Sequence, residues 1–159
     1  MSPAVRHCAM CSGPSEIKPL AAITGEDGPL RITLRGMPAL VCPKNHKAPV
    51  HRDFMLWLIQ QIRAREEQFA AGKEQGMVFK KHCCGECGAA LAAKPERREA
   101  LPFDLAYEGT PSFKAEIEMP LYKCTACGKE QLRSLKDLHG HVPAAMVGIN
   151  DGAGFPHSG

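Results

Sequence analysis

Apolar and polar residues alternate with period two in two separate stretches of the chain. Leu30, Ile32 and Leu34 alternate with Arg31, Thr33 and Arg35, and Phe113, Ala115 and Ile117 alternate with Lys114, Glu116 and Glu118. Successive side chains of a strand point to opposite faces, so each stretch predicts a half-buried β-strand. Between them the period lengthens. In "HRDFMLWLIQQIRAREEQFAAG", 51–72, Phe54, Met55, Leu58, Ile59, Ile62 and Phe69 fall largely on one side of a helix, with Gly72 as its expected C-cap. The helix is expected to pack on the strands. The sharper alternative makes Trp57 an anchor for a partner. A weaker helical pattern runs from about 134 to 149, and Gly140 and Pro143 are expected to break it. "GKEQGMVFKKH" reads as a linker, "KPERREALP" as a charged loop, and "NDGAGFPHSG" as a disordered tail.

The strands belong to a larger repetition. Cys8 and Cys11 precede Cys84 and Cys87 by one constant offset, and "MPALVC" at 37–42 matches "MPLYKC" at 119–124. The chain therefore reads as an internal repeat in which a knuckle, a long hairpin and a second knuckle occur twice. The two strand patterns differ in phase by one residue relative to the following cysteine, which predicts a bulge or deletion in one copy.

Composition says what must hold such a chain together. Aromatics are 6% of its 159 residues, so the hydrophobic core needs help from cross-links. Eight cysteines could supply them. Their spacing favours metal over disulfides or a redox dithiol. "CAMCSG", "CGECGA" and "CTACGK" are each C-x-x-C, a turn that points two sulfurs at one tetrahedral ion. Gly88 and Gly128 allow the positive φ that such a turn requires. Two glycine-flanked copies about 36 residues apart are the spacing of a zinc ribbon. The predicted second site is Cys84, Cys87, Cys124 and Cys127.

The first site lacks a cysteine, because "CPKNHK" places Asn45 where the repeat has Cys127. Imidazole reaches further than a thiol, so His46, one residue on, is the expected ligand beside Cys8, Cys11 and Cys42. His51 is the alternative. Cys83 reads as a spare thiol, His82 as a solvent-facing neighbour, and His139 and His141 as loop residues rather than a third metal site. Iron at the second site is the alternative to zinc.

The two motif sets, "CAMCSG…MPALVCPKNH" and "CGECGA…MPLYKCTACGKEQL", resemble the YgiT-type zinc-finger family, known from the zinc-binding N-terminal half of MqsA-type antitoxins. The resemblance covers about two thirds of the chain. It implies that the four matching positions of each copy bind zinc and that the module binds a protein, as an antitoxin's toxin-binding part does. Those antitoxins follow one ribbon with a helix-turn-helix domain, whereas this chain has a second ribbon and a short glycine-rich tail.

The resulting expectation is an α+β protein with two Zn²⁺ per chain. It consists of ribbon 1 at 1–48, a connecting helix at 49–72, a linker at 73–82, ribbon 2 at 83–133, and a short helical segment with a flexible tail at 134–159. Formal charge is +3 with neutral cysteines. Thiolates around zinc would leave about −1 and −2 at the two sites, so the loaded protein is near neutral. "RITLR", "IRAR" and "FKK" read as solvated faces, which makes nucleic acid the second-ranked partner behind protein. Closed four-ligand sites, with no phosphate loop, nucleophile elbow or H-E-x-x-H, predict a non-enzyme. "MSPAVRHCAM" has no apolar signal core, and "FMLWLI" is too short to span a bilayer, so a cytoplasmic protein is expected.

Overall fold

The computed structural model describes residues 6–76 and 81–156. The described residues fold as α+β, with short antiparallel sheets and two helices. The first half contributes β1 (Arg6–His7), β2 (Pro14–Pro19), β3 (Ile23–Asp27), β4 (Leu30–Arg35), β5 (Pro38–Val41) and β6 (Lys47–Pro49). Helix α1 (Phe54–Glu66) leads into a small hairpin of β7 (Lys73–Gln75) and β8 (Lys81–Cys83). The second half contributes β9 (Arg97–Leu105), β10 (Phe113–Lys123), β11 (Glu130–Gln131) and helix α2 (Leu135–Ala153).

Both alternating stretches are strands, and they pair with each other. Ile32 stands opposite Ile117 and Leu34 opposite Ala115 in the antiparallel β4–β10 ladder, with Thr33 facing Glu116 at its centre. Leu30, Ile32, Leu34, Phe113, Ala115 and Ile117 are all buried, so the halves share one hydrophobic core. The first half is locally irregular between β4 and β5, but no residue is added to either strand there, since Pro19 faces Pro38 and Ile23 faces Leu34 in one register; the expected bulge or deletion is not seen at this point. Leu20 donates to the carbonyl of Met37 and accepts from the N–H of Gly36, whose φ of 73° is left-handed. This break in the ladder separates β4 from β5, whereas β10 runs unbroken for 11 residues.

Several segments depart from the sequence reading. Helix α1 buries Phe54, Leu58, Ile62 and Glu66, one residue per turn, and ends at Glu66 rather than near Gly72. Gly72 instead lies between strands, where a Cβ would come within 2.7 Å of the Arg133 and Cys83 carbonyls. Part of the presumed linker is the β7–β8 hairpin, whose intervening residues 77–80, including most of "FKK", lie outside the described residues. Most of the presumed charged loop is edge strand β9, where Pro102 is tolerated because β9 pairs only with β10. Four aromatics gather despite their scarcity, with Tyr107 5.3 Å from Phe54 and 5.1 Å from Trp57, and Phe113 beside both.

The largest correction is α2, a single 19-residue helix through Gly140 and Pro143. Ser134 caps it by accepting the Asp137 N–H, and Gly154, at φ 73°, closes it. Burial of Leu138, Val142, Ala145, Met146, Ile149 and Ala153 against β3, β4 and α1 outweighs the lost proline hydrogen bond. Its glycines serve contact. A Cβ on Gly25 of β3 would lie 2.0 Å from the Ala145 carbonyl, and one on Gly148 would lie 3.2 Å from the Gly25 Cα. The presumed tail is thus helix to Ala153, followed by the buried Phe155; residues 157–159 lie outside the described residues. No helix among the described residues is long and apolar enough to cross a membrane.

Candidate metal centres

Four short turns bring the sequence-predicted ligands into two groups. In three of them the pattern is the same. The N–H of the first cysteine bonds the carbonyl five residues on, as in Cys8 to Gly13, Cys84 to Ala89 and Cys124 to Lys129. The first cysteine's carbonyl accepts from the residue after the second, which is Ser12, Gly88 or Gly128, each with positive φ (61°, 79° and 77°).

The turn at Cys42 is one residue shorter. Its N–H bonds the His46 carbonyl, and its carbonyl accepts from Asn45, whose φ is 66°. Asn45 therefore occupies the left-handed position of Gly128, and His46 follows where the longer turn has Lys129. Aligning Asn45 with Cys127 is a register error. The tighter turn has no second cysteine position at all, and the imidazole reaches in from just beyond it. Asparagine tolerates the left-handed region better than most residues, which is the local reason this turn can close.

The clusters contain Cys8, Cys11, Cys42 and His46 in one case, and Cys84, Cys87, Cys124 and Cys127 in the other, with ligand atoms within 4.8 Å of one another. His46 Nδ1 lies 3.5 Å from Cys8 Sγ and 3.4 Å from Cys42 Sγ, and the Cys11 and Cys42 sulfurs are 3.7 Å apart. In the second cluster Cys84 and Cys127 are 3.8 Å apart, and Cys87 and Cys124 3.4 Å. Two sulfurs on one tetrahedral zinc stand about 3.8 Å apart, and a sulfur and an imidazole nitrogen about 3.5 Å, from bond lengths of about 2.3 and 2.0 Å. Both donor sets are thus compatible with zinc. His51 is not in the cluster, because its Nδ1 accepts the Asp53 N–H on the exposed approach to α1.

Backbone amides point at the sulfurs. Glu86 N–H donates to Cys84 Sγ, Ala126 and Cys127 N–H to Cys124 Sγ, and His46 N–H to Cys42 Sγ. Sequence reasoning did not single out Gln131. It is 2% exposed; its Nε2 donates to Cys84 Sγ at 3.1 Å, and its Oε1 accepts the Gly85 N–H at 2.9 Å. Its only signal is a polar residue in "KEQL", just past the last cysteine. The Cys87 amide, then Gln131 and the Glu86 amide, lower the Cys84 thiol to about 6. Against the lowering pull of the Lys129 N–H, the Cys124 thiol and desolvation hold Cys127 up at about 11. The site thus favours a thiolate on Cys84, and a cation is needed to ionise all four.

The remaining chemistry-bearing residues lie apart from these clusters. Cys83 is a buried free thiol. His139 and His141 lie on α2 rather than in a loop, and they face different partners. His139 Nε2 is 3.2 Å from Glu66 Oε2, and His141 Nδ1 is 2.7 Å from Asp27 Oδ2. Two helical residues two positions apart point away from each other, so they do not share an ion. His82 is half-buried rather than solvent-facing, and its Nδ1 is buried without a hydrogen-bond partner among the described residues. Comparison with family models, with curated proteins and with solved structures finds no match to this chain.

Proposed function

We propose that the protein is a non-catalytic module of two tandem zinc ribbons that binds another protein, in the manner of the zinc-binding part of a YgiT-type antitoxin. The carrying observation is the pair of clusters, each offering four ligand atoms, the number that a closed structural zinc takes.

A protein partner ranks above nucleic acid because thiolates around zinc would bring the loaded protein near neutral, and part of the basic surface is paired as well. Arg31 pairs with Glu26, Arg97 with Glu99 and Glu130, Arg98 with Glu118, Lys114 with Asp104, and Lys129 with Glu86. A phosphate track needs unpaired cations in a row. Leu56 and Val147, 58% and 57% exposed, are instead suited to an apolar contact.

Native mass spectrometry with elemental analysis tests the metal half, and two zinc ions per chain are expected. Fewer ions, disulfides in their place, or iron at the second cluster would overturn it. Affinity capture analysed for both protein and nucleic acid tests the rest. Tight, steeply salt-dependent binding of random duplex would reverse the ranking of partners.

A further inference from the structure

We infer that Glu74, His82 and Asp137 form a third metal site, for an exchangeable divalent first-row ion held by one imidazole and two carboxylates. Glu74 and His82 stand directly opposite each other in the β7–β8 ladder, so their side chains share a face. Asp137 reaches the same place from the first turn of α2. One ligand atom from each of the three lies within 4.8 Å of the others. Ligands on one ion with bonds of about 2.1 Å stand roughly 3.0–3.4 Å apart, so closure asks the Glu74 and Asp137 side chains to move by about 1 Å.

A second observation points the same way. The buried His82 Nδ1 has no hydrogen-bond partner among the described residues. Ligation through Nδ1 would offset the cost of leaving that nitrogen without a partner. Asp137 is only loosely held by its neighbour, with Arg133 Nη2 at 3.8 Å from Oδ2.

The donor set decides the class of ion. Two carboxylates neutralise a divalent charge, and nitrogen with oxygen ligands suits manganese through zinc, unlike the thiolate clusters. Three protein ligands leave positions open to water or to a ligand from solution. The site would tie the start of α2 to the hairpin preceding the second cluster, and would load and unload without disturbing the cysteines.

Manganese is the discriminating probe, because soft thiolates do not select it. The full-length protein is titrated with Mn²⁺, free ion is read by electron paramagnetic resonance, and amide broadening is read by NMR. One Mn²⁺ per chain is expected, with broadening centred on 73–75, 81–83 and 135–138. Asp137→Asn and Glu74→Gln, both close to isosteric, and His82→Ala should each weaken it more than about tenfold while leaving cysteine-bound metal unchanged. No bound Mn²⁺ up to about 1 mM, or binding by Asp137→Asn and Glu74→Gln equal to the parent's, would overturn the site.

Discussion

Gln131 donates to the sulfur of Cys84 from a fully enclosed position, and the same amide receives the N–H of Gly85. One side chain therefore holds both the ligand and the turn that carries it. Gln131→Leu fills the space but removes both bonds. Metal affinity at the second cluster should fall about 10–100-fold, read by chelator competition, with the first cluster unaffected. Gln131→Glu should do worse than Gln131→Leu, because it sets a carboxylate against a thiolate.

The short turn at Cys42 makes a counter-intuitive substitution prediction. Asn45→Gly should keep full metal at the first cluster, because glycine adopts the left-handed φ of 66° freely. Asn45→Val should destabilise it by about 1–2 kcal/mol. Asn45→Cys with His46→Gly, which looks in sequence like a restored C-x-x-C-G, should lose metal there, since it puts the thiol at the turn's left-handed position. Metal stoichiometry by native mass spectrometry separates these outcomes.

Close approach of α2 to β3 is expected to be intolerant of even one methyl. Gly25→Ala brings Cβ within 2.0 Å of the Ala145 carbonyl, which is backbone and cannot swing aside. Its cost should be about 2–4 kcal/mol in urea unfolding. Gly140→Ala, where nothing lies within 4 Å, should stabilise α2 by about 1 kcal/mol.

Glu66 has a pH signature. Burial raises its carboxyl to about 8, against a smaller lowering from Arg63, with Glu67 adding to the rise, and His139 faces it from α2. The folded state then holds a proton that the unfolded chain releases near pH 4.5. The two states match below that value. Stability is lost as pH climbs from about 4.5 to 8, by at most roughly 4 kcal/mol. Glu66→Gln should remove that slope. Titrating cysteines contribute equally to parent and variant, so the difference between their unfolding curves from pH 5 to 8 isolates Glu66.

What could be read in the chain followed from how local each cause is. Period-two alternation marked β4 and β10, and C-x-x-C marked three of the turns, because each pattern is enforced within a few residues. Glycine misled, since Gly148 and Gly152 look like flexibility but serve contacts with Gly25 and Ile23 that are distant in sequence. Pro143 misled likewise, because the burial that carries α2 through it comes from other elements. Gln131 carries no local mark, as its importance lies in what it touches. The tightness of the Cys42 turn shows only in its hydrogen bonds, and a one-residue difference in a short motif is invisible to alignment by ligand type.

Joining the halves edge to edge through β4 and β10 makes each the guardian of the other's solubility. Cut within 77–80, the chain would yield a leading fragment whose β4 offers an unpaired row of amides and carbonyls flanked by Ile32 and Leu34. An open apolar strand edge of that kind recruits whatever strand it meets. The nearest match in shape is a second copy of itself, centred on Thr33. A single half is therefore expected to appear in solution as a dimer or as a precipitate, and a protease that nicks the connection should release neither half while the ladder holds.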